Sequence, residues 1–362
     1  MGNLAAGTIK GTNPAGGNNT SPMTGRQAHR SSRGWTRREF LTAVAGGIVL
    51  ASGFSVVQLL TRPRLKGETF IAKVDSYQTE IANVLVRGMR ELGVTSQEIR
   101  GKRILLKPNL VETSSGAIHI NTHPLVVRGA VEAFFALGAA RVWVAEGPGH
   151  RRDTLDVLEE SGLAEVLQED RIPFLDLNYQ SGYTVPNPSR LTNLKTLTFP
   201  RIFQEVDWVV SLAKLKTHHW AGVTLSMKNL FGVLPGIYYG WPKNVLHHAG
   251  INNSILDITA TLKPHFAIVD GVVGMEGDGP IMGTPRQAAV IVMGRNLPAV
   301  DATCARVMGI DPYKVGYLKE SNNWLGPISD MAIEQRGETI ASVRTNFALL
   351  DAIPAQRGIR LT

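Results

Sequence analysis

Short apolar runs alternate with helical periods from residue 69 onward, and this alternation is the main structural signal in the chain. Ile81, Val84, Leu85 and Leu92 recur at the spacing of one helix face, and Gly93 follows where that helix would end. The other runs are short and rich in β-branched residues, which is typical of strands. The pattern predicts strands at 69–74, 102–107, 141–146, 173–177, 206–212, 265–270 and 288–293. It predicts helices at 80–92, 123–137, 154–168, 251–261 and 299–308.

This order of strands and helices predicts an α/β fold, with a mostly parallel, Rossmann-like sheet covered by helices on both faces. A connection rich in Pro and Asn precedes residue 200, so one large sheet and two lobes meeting near residue 200 both fit the pattern. After residue 308 the pattern weakens. We therefore expect a main domain over residues 67–310 and a peripheral C-terminal segment over residues 311–362.

The first 66 residues differ in composition from the rest of the chain. Residues 1–35 are mainly Gly, Asn, Ser, Thr and Ala, without the aliphatic side chains that offset the entropy of ordering, so we expect them to be disordered. Residues 36–66 combine a basic start with an uncharged, moderately apolar run at 43–60. Arg37 and Arg38, followed by Glu39-Phe40-Leu41, resemble a twin-arginine export signal, from which Thr42 departs because the pattern has Lys there.

The resemblance to that signal implies the twin-arginine translocase as a partner and an extracytoplasmic location, on the periplasmic or cell-surface side. No small-x-small cleavage site follows the apolar run. An uncleaved anchor is therefore favoured over a cleaved signal, because the 43–60 run would span roughly 27 Å as a helix, close to the thickness of a hydrocarbon core. An ordinary membrane anchor with incidental arginines is the alternative.

The charge of the chain sits almost entirely in this N-terminal segment. The chain has 38 Lys and Arg against 30 Asp and Glu, a net charge of +8, and residues 1–66 hold nine of the basic residues and one acid. The remainder is neutral overall, so we expect no nucleic-acid partner, which would require a basic surface on the folded body. Cys304 is the one cysteine, which excludes an internal disulfide and an iron–sulfur cluster ligated by this chain alone.

Polar residues recur where predicted strands end, and ligands of open α/β sheets collect beyond those ends. In an extended chain Lys214, Lys216 and His218 point to the same face, with Leu215 and Thr217 opposite. Three potential cations on one face predict a site for an anion, although a solvated basic edge strand gives the same pattern. The motifs at these ends are Lys107-Pro108-Asn109, Glu146-Gly147, Lys214 to His218 and Asp270-Gly271, and the polar segment Ser226 to Asn229 follows soon after Lys214 to His218.

The segment from Asp270 to Pro280 holds four glycines and the carboxylates Asp270, Glu276 and Asp278 directly after an apolar strand. Glycines let backbone N–H groups approach a phosphate, and the carboxylates could instead hold a divalent metal ion. A plain flexible turn is the alternative. His123 precedes Pro124 at a helix start, where it could cap that helix or act on a substrate.

As a set, these motifs resemble the domain-of-unknown-function family 362 (DUF362), over about residues 70–308. The motifs are Lys107-Pro108-Asn109, His123-Pro124, Glu146-Gly147, Lys214 to His218, Ser226 to Gly232, Asp270 to Pro280 and Asp301-Ala302. The resemblance implies no particular reaction. Some members of the family carry ferredoxin-type cysteine clusters, and this chain departs from them because Cys304 is alone.

The leading hypothesis is an exported enzyme, or enzyme-like protein, that binds and acts on a small phosphorylated or carboxylated molecule. Lys107, Lys214, Lys216 and Lys228 would hold the anion, Asn109, His123, Ser226 and Asn229 would bind or orient the molecule, and His218 or Asp270 would transfer a proton. The alternative is a non-catalytic cofactor-binding, metal-binding or maturation factor for a membrane-associated partner. In that case Asp270, Glu276 and Asp278 would bind the metal ion.

Overall fold

A computed structural model describes residues 65–113, 115–149 and 152–362. The predicted disordered segment, the predicted twin-arginine signal with Arg37 and Arg38, and the apolar run at 43–60 lie outside the described residues. All the described residues belong to one compact unit. None of the helices in this part of the chain is long and apolar enough to cross a membrane.

Eleven strands are present in the described part of the chain. They are β1 (Gly67–Lys73), β2 (Arg103–Pro108), β3 (Arg141–Glu146), β4 (Phe174–Asp176), β5 (Gly182–Pro186), β6 (Thr196–Pro200), β7 (Trp208–His218), β8 (Gly222–Thr224), β9 (Phe266–Glu276), β10 (Thr284–Gly294) and β11 (Ile333–Gly337).

Thirteen α-helices accompany these strands. They are α1 (Ile81–Glu91), α2 (Ser96–Ile99), α3 (Pro124–Ala136), α4 (Thr154–Glu160), α5 (Leu163–Glu169), α6 (Ile202–Glu205), α7 (Ser226–Asn229), α8 (Gly236–Tyr239), α9 (Asn244–His248), α10 (Ile251–Leu262), α11 (Leu297–Val307), α12 (Gly316–Ser321) and α13 (Ile340–Val343).

Nine of the strands form one sheet in the order β11-β1-β10-β9-β7-β2-β3-β4, with β8 paired to β7. The five neighbours β9, β7, β2, β3 and β4 are mutually parallel, so their carboxyl ends lie along the same edge. β10 is antiparallel to both of its neighbours. The α/β fold with a mostly parallel sheet is confirmed, and the sheet continues without a break from β2 to β7, so no lobe boundary lies near residue 200 in the described part of the chain.

Helices cover both faces of the sheet because side chains of each strand alternate between two apolar cores. In β2, Leu105 packs into one core with α10 and α11, while Ile104 and Leu106 pack into the other core with α1, α3, α4 and α5. Burial on both faces explains why the central strands read as continuous apolar runs in the sequence.

Three strands are much longer than their patterns predict. β7, β9 and β10 each span eleven residues, and every residue of β7 is buried, including Lys214, Lys216 and His218. The alternative of a solvated edge strand is therefore wrong, because β7 lies between β2 and β9. The glycine-rich segment beginning at Asp270, expected to be a loop, continues β9 as far as Glu276.

Residues 311–362 are more closely integrated with the sheet than the weak pattern predicts. They supply β11, which pairs in parallel with β1 at one edge of the sheet. Tyr317 and Phe347 are fully buried in the core beside α11. The periodicity is weak because the elements here are short and separated by turns, although their apolar side chains are buried.

Candidate anion-binding site

The carboxyl ends of β2, β3 and β7 open onto a cavity of about 390 Å³. Lys107 comes from the end of β2, Glu146 from the end of β3 and His218 from the end of β7. Lys228 and Asn229 reach the same cavity from the short helix α7. Ligands of open α/β sheets bind beyond the carboxyl ends of the strands, and this cavity lies there.

A buried ion pair forms the floor of this cavity. Lys107 Nζ lies 2.6 Å from Glu146 Oε2, and both side chains are 1% exposed. The backbone N–H of Leu110 and that of Gly147 donate to the two oxygens of Glu146, at 3.1 and 2.9 Å. Burial lowers the pKa of Lys107, and the adjacent carboxylate opposes that shift. Lys107 and Glu146 thus largely satisfy each other and leave little charge for a ligand.

Asn229 connects this pair to Asn109 and fixes how both amides point. Lys107 Nζ, which can only donate, lies 2.8 Å from Asn229 Oδ1, and Asn109 Nδ2 donates to the same oxygen at 3.2 Å. Asn109 must therefore turn its Oδ1 away from Asn229. That oxygen is buried and lacks a hydrogen-bond partner among the described residues, and the same is true of Thr224 Oγ1 in the cavity wall.

Lys228 is the cation of the cavity without a counter-charge. Its Nζ lies 3.9 Å from the centre of the Phe231 ring, and within the described part of the chain no hydrogen-bond acceptor or carboxylate pairs with it. Burial and the nearby charge of Lys107 lower the pKa of Lys228 to about 7. This amine is therefore poised to gain or lose a proton near neutral pH.

His218 is held in one tautomer. Its Nδ1 accepts hydrogen bonds from the backbone N–H groups of Trp220 and Ala221, at 2.9 and 3.2 Å, so the ring proton is on Nε2. Burial and the surrounding positive groups, first among them Lys228, lower the pKa of His218 well below its usual value. At neutral pH His218 is a neutral donor through Nε2–H, and its Nδ1 is occupied and unable to act as a base.

Lys243, which precedes α9, is a further buried lysine in the cavity wall. Its Nζ donates to Asn178 Oδ1 at 2.6 Å and to the backbone oxygen of Leu234. Burial lowers its pKa to about 7. These two acceptors already bind the amine of Lys243. Its main contribution to the cavity is therefore positive potential, and not a free hydrogen-bond donor.

Asp301 holds the helix that presents Lys228 and Asn229. Its carboxylate accepts the backbone N–H groups of Ser226 and Met227 at 2.8 and 3.0 Å, and the Ser226 hydroxyl at 2.5 Å. Burial raises the pKa of Asp301 to about 7. Ser226 thus bonds to Asp301 and does not line the cavity. The four-residue α7 has this carboxylate in place of a side-chain cap of its own.

A second polar cluster lies midway along β7 and β9, where Lys214 and Asp270 are neighbours in the sheet, and both side chains are closed to solvent. Lys214 Nζ lies 2.8 Å from Asp270 Oδ2, and both side chains are fully buried. Tyr77 donates to Asp270 at 3.1 Å and accepts from Lys214 at 3.0 Å. The backbone N–H of His123 donates to Asp270 at 3.0 Å. Asp270 is therefore saturated by its neighbours, which speaks against the predicted catalytic role.

His123 and Lys216 also have structural partners. His123 Nδ1 accepts from Leu125 N at 3.2 Å and caps α3, and its ring stacks on Tyr77 with centroids 3.6 Å apart. Burial lowers the pKa of His123 to about 4. Lys216 donates to the backbone oxygens of Ile120 and Pro280, at 2.8 and 3.2 Å, and is fully buried. Neither side chain lines the cavity.

The three carboxylates predicted to bind a metal ion have separate partners. Asp270 pairs with Lys214, Glu276 accepts from Ala348 N at 2.8 Å, and Asp278 lies 3.9 Å from His219. Among the described residues no group of three or more His, Cys, Asp or Glu side chains is arranged to hold a metal ion. The geometry therefore does not support the metal-binding alternative at these positions.

The predicted site residues thus fall into two groups. Lys107, Asn109, His218, Lys228 and Asn229 line the cavity, whereas Lys214, Lys216, Ser226 and Asp270 are buried beside it and His123 is half-buried just before α3. Sequence reasoning left out Tyr77, Asp301, Lys243, Thr224 and Trp220 as site residues. Tyr77 and Asp301 are far along the chain from their partners, so no spacing pattern could have indicated these pairs.

Comparison with known proteins shows similarity over the segment that carries this site. The family model described as Domain of unknown function (DUF362) matches residues 104–306, more than half of the chain. The thylakoid-associated protein sll1697 of Synechocystis sp. is 26% identical over 217 residues, which are 59% of this chain and 64% of that protein. This chain therefore spans less than two thirds of the length of that relative.

Two solved structures align with part of this chain at 15% sequence identity. A crystal structure of a Thermotoga maritima protein covers 64% of this chain and 59% of its own, with a TM-score of 0.38. The lactate racemase apoprotein of Thermoanaerobacterium thermosaccharolyticum covers 68% of this chain and 58% of its own, with a TM-score of 0.40. Both TM-scores are below 0.5, so neither structure informs the chemistry of this site.

Proposed function

Because this chain belongs to the DUF362 family, whose function is unknown, we propose a function from its own cavity: it binds, and acts on, a small anionic molecule that carries a phosphate or a carboxylate. The observation that carries the proposal is the charge balance of the cavity. Three lysines and a neutral histidine donor line it, and among the described lining residues Glu146 is the one carboxylate.

The unpaired cation is the strongest part of this argument. Glu146 pairs with Lys107, and Lys243 donates to an amide oxygen and to a backbone oxygen. Lys228 therefore has neither a hydrogen-bond acceptor nor a paired carboxylate among the described residues. An anion beside Lys228 would offset the burial and the repulsion from Lys107 that lower the pKa of Lys228. A charge-assisted hydrogen bond contributes about 1.5–3 kcal/mol, so Lys228 with His218 Nε2–H suffices for measurable binding.

Each cavity residue then has a distinct role in the proposal. Lys228 binds the anion and is the proton-transfer group, because its pKa of about 7 suits exchange near neutral pH. His218 donates a hydrogen bond and does not act as the base. Asn109 and Thr224 orient the molecule through their unpartnered oxygens. Lys107, Glu146 and Asn229 hold these groups in place.

A non-catalytic binding or maturation factor would use the same cavity without turnover, and it is the second candidate. The observation that favours it is the relative named a thylakoid-associated protein, which supports membrane association for this chain as well.

We propose export through the twin-arginine translocase and retention at the membrane through residues 43–60. Replacing Arg37 and Arg38 together with Lys should leave the protein in the cytoplasm; extracytoplasmic protein in unchanged amount would refute the export proposal.

Binding is tested by thermal unfolding and calorimetry with phosphate and sulfate. Lys228→Met should abolish the stabilisation by either anion, while Lys319→Met, at an exposed lysine of α12, should leave it unchanged. Equal stabilisation of the wild type and Lys228→Met would refute the site. Turnover of a panel of phosphoesters and carboxylates, abolished by Lys228→Met, would separate an enzyme from a binding factor.

A further inference from the structure

One wall of the cavity is apolar and partly exposed. Trp220 has 57% of its surface exposed although it lines the cavity. Its indole is held edge-on between two imidazoles, with centroids 4.6 Å from His219 and 5.1 Å from His247. Ile281 and Pro280 belong to the same lining. The wall therefore presents a fixed aromatic surface beside the cations.

The two imidazoles make this wall neutral under ordinary conditions. Burial lowers the pKa of His247 to about 4, and burial also lowers the pKa of His219. Both rings are uncharged at neutral pH, so the surface around Trp220 does not attract the charged group of a ligand. The positive charge of the lining belongs to its lysines, and the Asp278 carboxylate, 3.9 Å from His219, repels an anion from this wall. The wall therefore suits a flat apolar group, which aromatic rings bind by stacked or edge-to-face contact.

A third feature of the cavity is a hydrogen-bond acceptor without a partner among the described residues. Asn109 Oδ1 is buried, and its orientation is fixed by Asn229 and Lys107, so it can only accept a hydrogen bond. Asn109 is 6% exposed. A buried acceptor without a donor is destabilising, and a donor on a ligand would remove that cost.

These three features define a class of ligand. Resting on the anion-binding function proposed above, we propose that the molecule bound in this cavity is an amphipathic anion. Its carboxylate or phosphate contacts Lys228, an adjacent hydroxyl or amide N–H donates to Asn109 Oδ1, and a flat apolar body lies against Trp220. The cavity volume of about 390 Å³ is within the range of small-molecule sites, about 300–1,000 Å³.

Four carboxylates test this class, because they differ only by a phenyl ring and a hydroxyl group. Acetate has neither group, phenylacetate has the ring, glycolate has the hydroxyl, and mandelate has both. Ligand-observed NMR titration measures their weak dissociation constants against the wild-type protein. We expect the ring to tighten binding by about tenfold or more, since its burial removes apolar surface from water. The hydroxyl should add about fivefold to tenfold.

Matched variants locate each contribution. Trp220→Ala should reduce the gain from the phenyl ring to less than about threefold and leave acetate binding unchanged. Trp324→Ala, at an exposed tryptophan in the C-terminal segment, is the control and should leave the ring's gain intact. Lys228→Met should weaken all four compounds. Trp220 is largely exposed, so its replacement should not unfold the protein; an unchanged urea midpoint confirms that.

The outcomes separate this inference from the function on which it rests. If acetate and phenylacetate bind the wild type equally, or if Trp220→Ala keeps the full gain from the ring, the amphipathic class is refuted while dependence on Lys228 still supports anion binding. If the hydroxyl gives no gain, the role of Asn109 is refuted. If none of the four compounds binds, the inference fails, and the proposed function fails with it only if phosphate and sulfate do not bind either. If Lys228→Met changes the binding of none of these anions, both fail.

Discussion

Asp270→Asn tests whether the buried cluster of Lys214, Asp270 and Tyr77, midway along β7 and β9, is structural. The substitution keeps the shape of the side chain and removes the charge that faces Lys214 at 2.8 Å. The partners left to Lys214 among the described residues are then neutral, namely the Tyr77 hydroxyl and the amide oxygen of the substituted side chain. Removing one member of a buried ion pair typically costs about 3–5 kcal/mol, because the other charge stays buried without compensation.

The structure also sets an upper limit to this loss. Lys214 can escape an unpaired charge by losing its proton, and burial already lowers its pKa from the ordinary value of 10.5. Neutralising a lysine with that ordinary pKa at pH 7 costs about 1.36 kcal/mol per unit, or about 5 kcal/mol in all. We therefore expect Asp270→Asn to lower the free energy of unfolding by about 3–5 kcal/mol at pH 7.

The stability of the Asp270→Asn variant should also depend on pH. In the folded variant Lys214 is neutral, whereas in the unfolded chain it stays protonated up to its ordinary pKa. The unfolded state then binds more protons, so the stability of the variant increases as the pH rises from 7 toward 10, by at most about 1.4 kcal/mol per unit. Wild-type Lys214, supported by Asp270, keeps its proton to higher pH. The difference between the two proteins should therefore shrink with rising pH.

Urea unfolding at pH 7, 8 and 9 measures this difference. Asp278→Asn is the matched control, because Asp278 has 51% of its side chain exposed and should change stability by less than about 0.5 kcal/mol. A loss below about 1 kcal/mol for Asp270→Asn, or a loss independent of pH, would refute the structural reading of the cluster. Retained anion binding by the folded fraction would separate Asp270 from the cavity.

Three further predictions concern the cavity. Sulfate, whose charge is constant from pH 6 to 9, should bind more weakly as the pH rises through about 7, because Lys228 loses its proton there. Calorimetry in buffers of different ionisation enthalpy should show proton uptake of less than one proton per site. Sulfate binding that does not depend on pH would contradict the role of Lys228. Gly232→Ala should lower the free energy of unfolding by about 1–3 kcal/mol, since the added Cβ would overlap Glu146 and lie 2.7 Å from Lys107 Cε. Gly149→Ala is the control and should be tolerated, because its nearest neighbour would lie at 3.5 Å. Asp301→Asn should flatten the stability profile between pH 4 and 7, because the raised pKa of about 7 makes the wild type lose stability as the pH rises through that window.

The sheet and the edge that carries the cavity could be predicted from the sequence, because both follow from local periodicity. Parallel strands place their carboxyl ends together, so the polar residues after β2, β3 and β7 had to lie near one another. The lengths of β7 and β9 could not be predicted in this way. Lys214 and Asp270 look like the polar ends of strands, yet each strand continues beyond them because the two side chains pair.

The fate of each lysine depends on partners that are distant in the sequence. Asp270 lies 56 residues from Lys214, and Tyr77 lies 193 residues from Asp270. Glu146 lies 39 residues from Lys107. Periodicity carries no information about such pairs, so the sequence predicts a group of cations and leaves open which of them are already neutralised by the fold.

The two polar clusters differ because the covering elements differ. The start of α3 lies over the middle of β9, where the backbone N–H of His123 bonds to Asp270 and its ring stacks on Tyr77. That cover helps to close the cluster, in which Lys214, Asp270 and Tyr77 already bond to one another. Beside β2 the covering element is α7, which is only four residues long and whose first backbone N–H groups donate to the Asp301 carboxylate. Asp301 holds the first two residues of this helix, Ser226 and Met227, and the last two residues face the cavity. Lys228, and not Lys214, is therefore the lysine open to an anion.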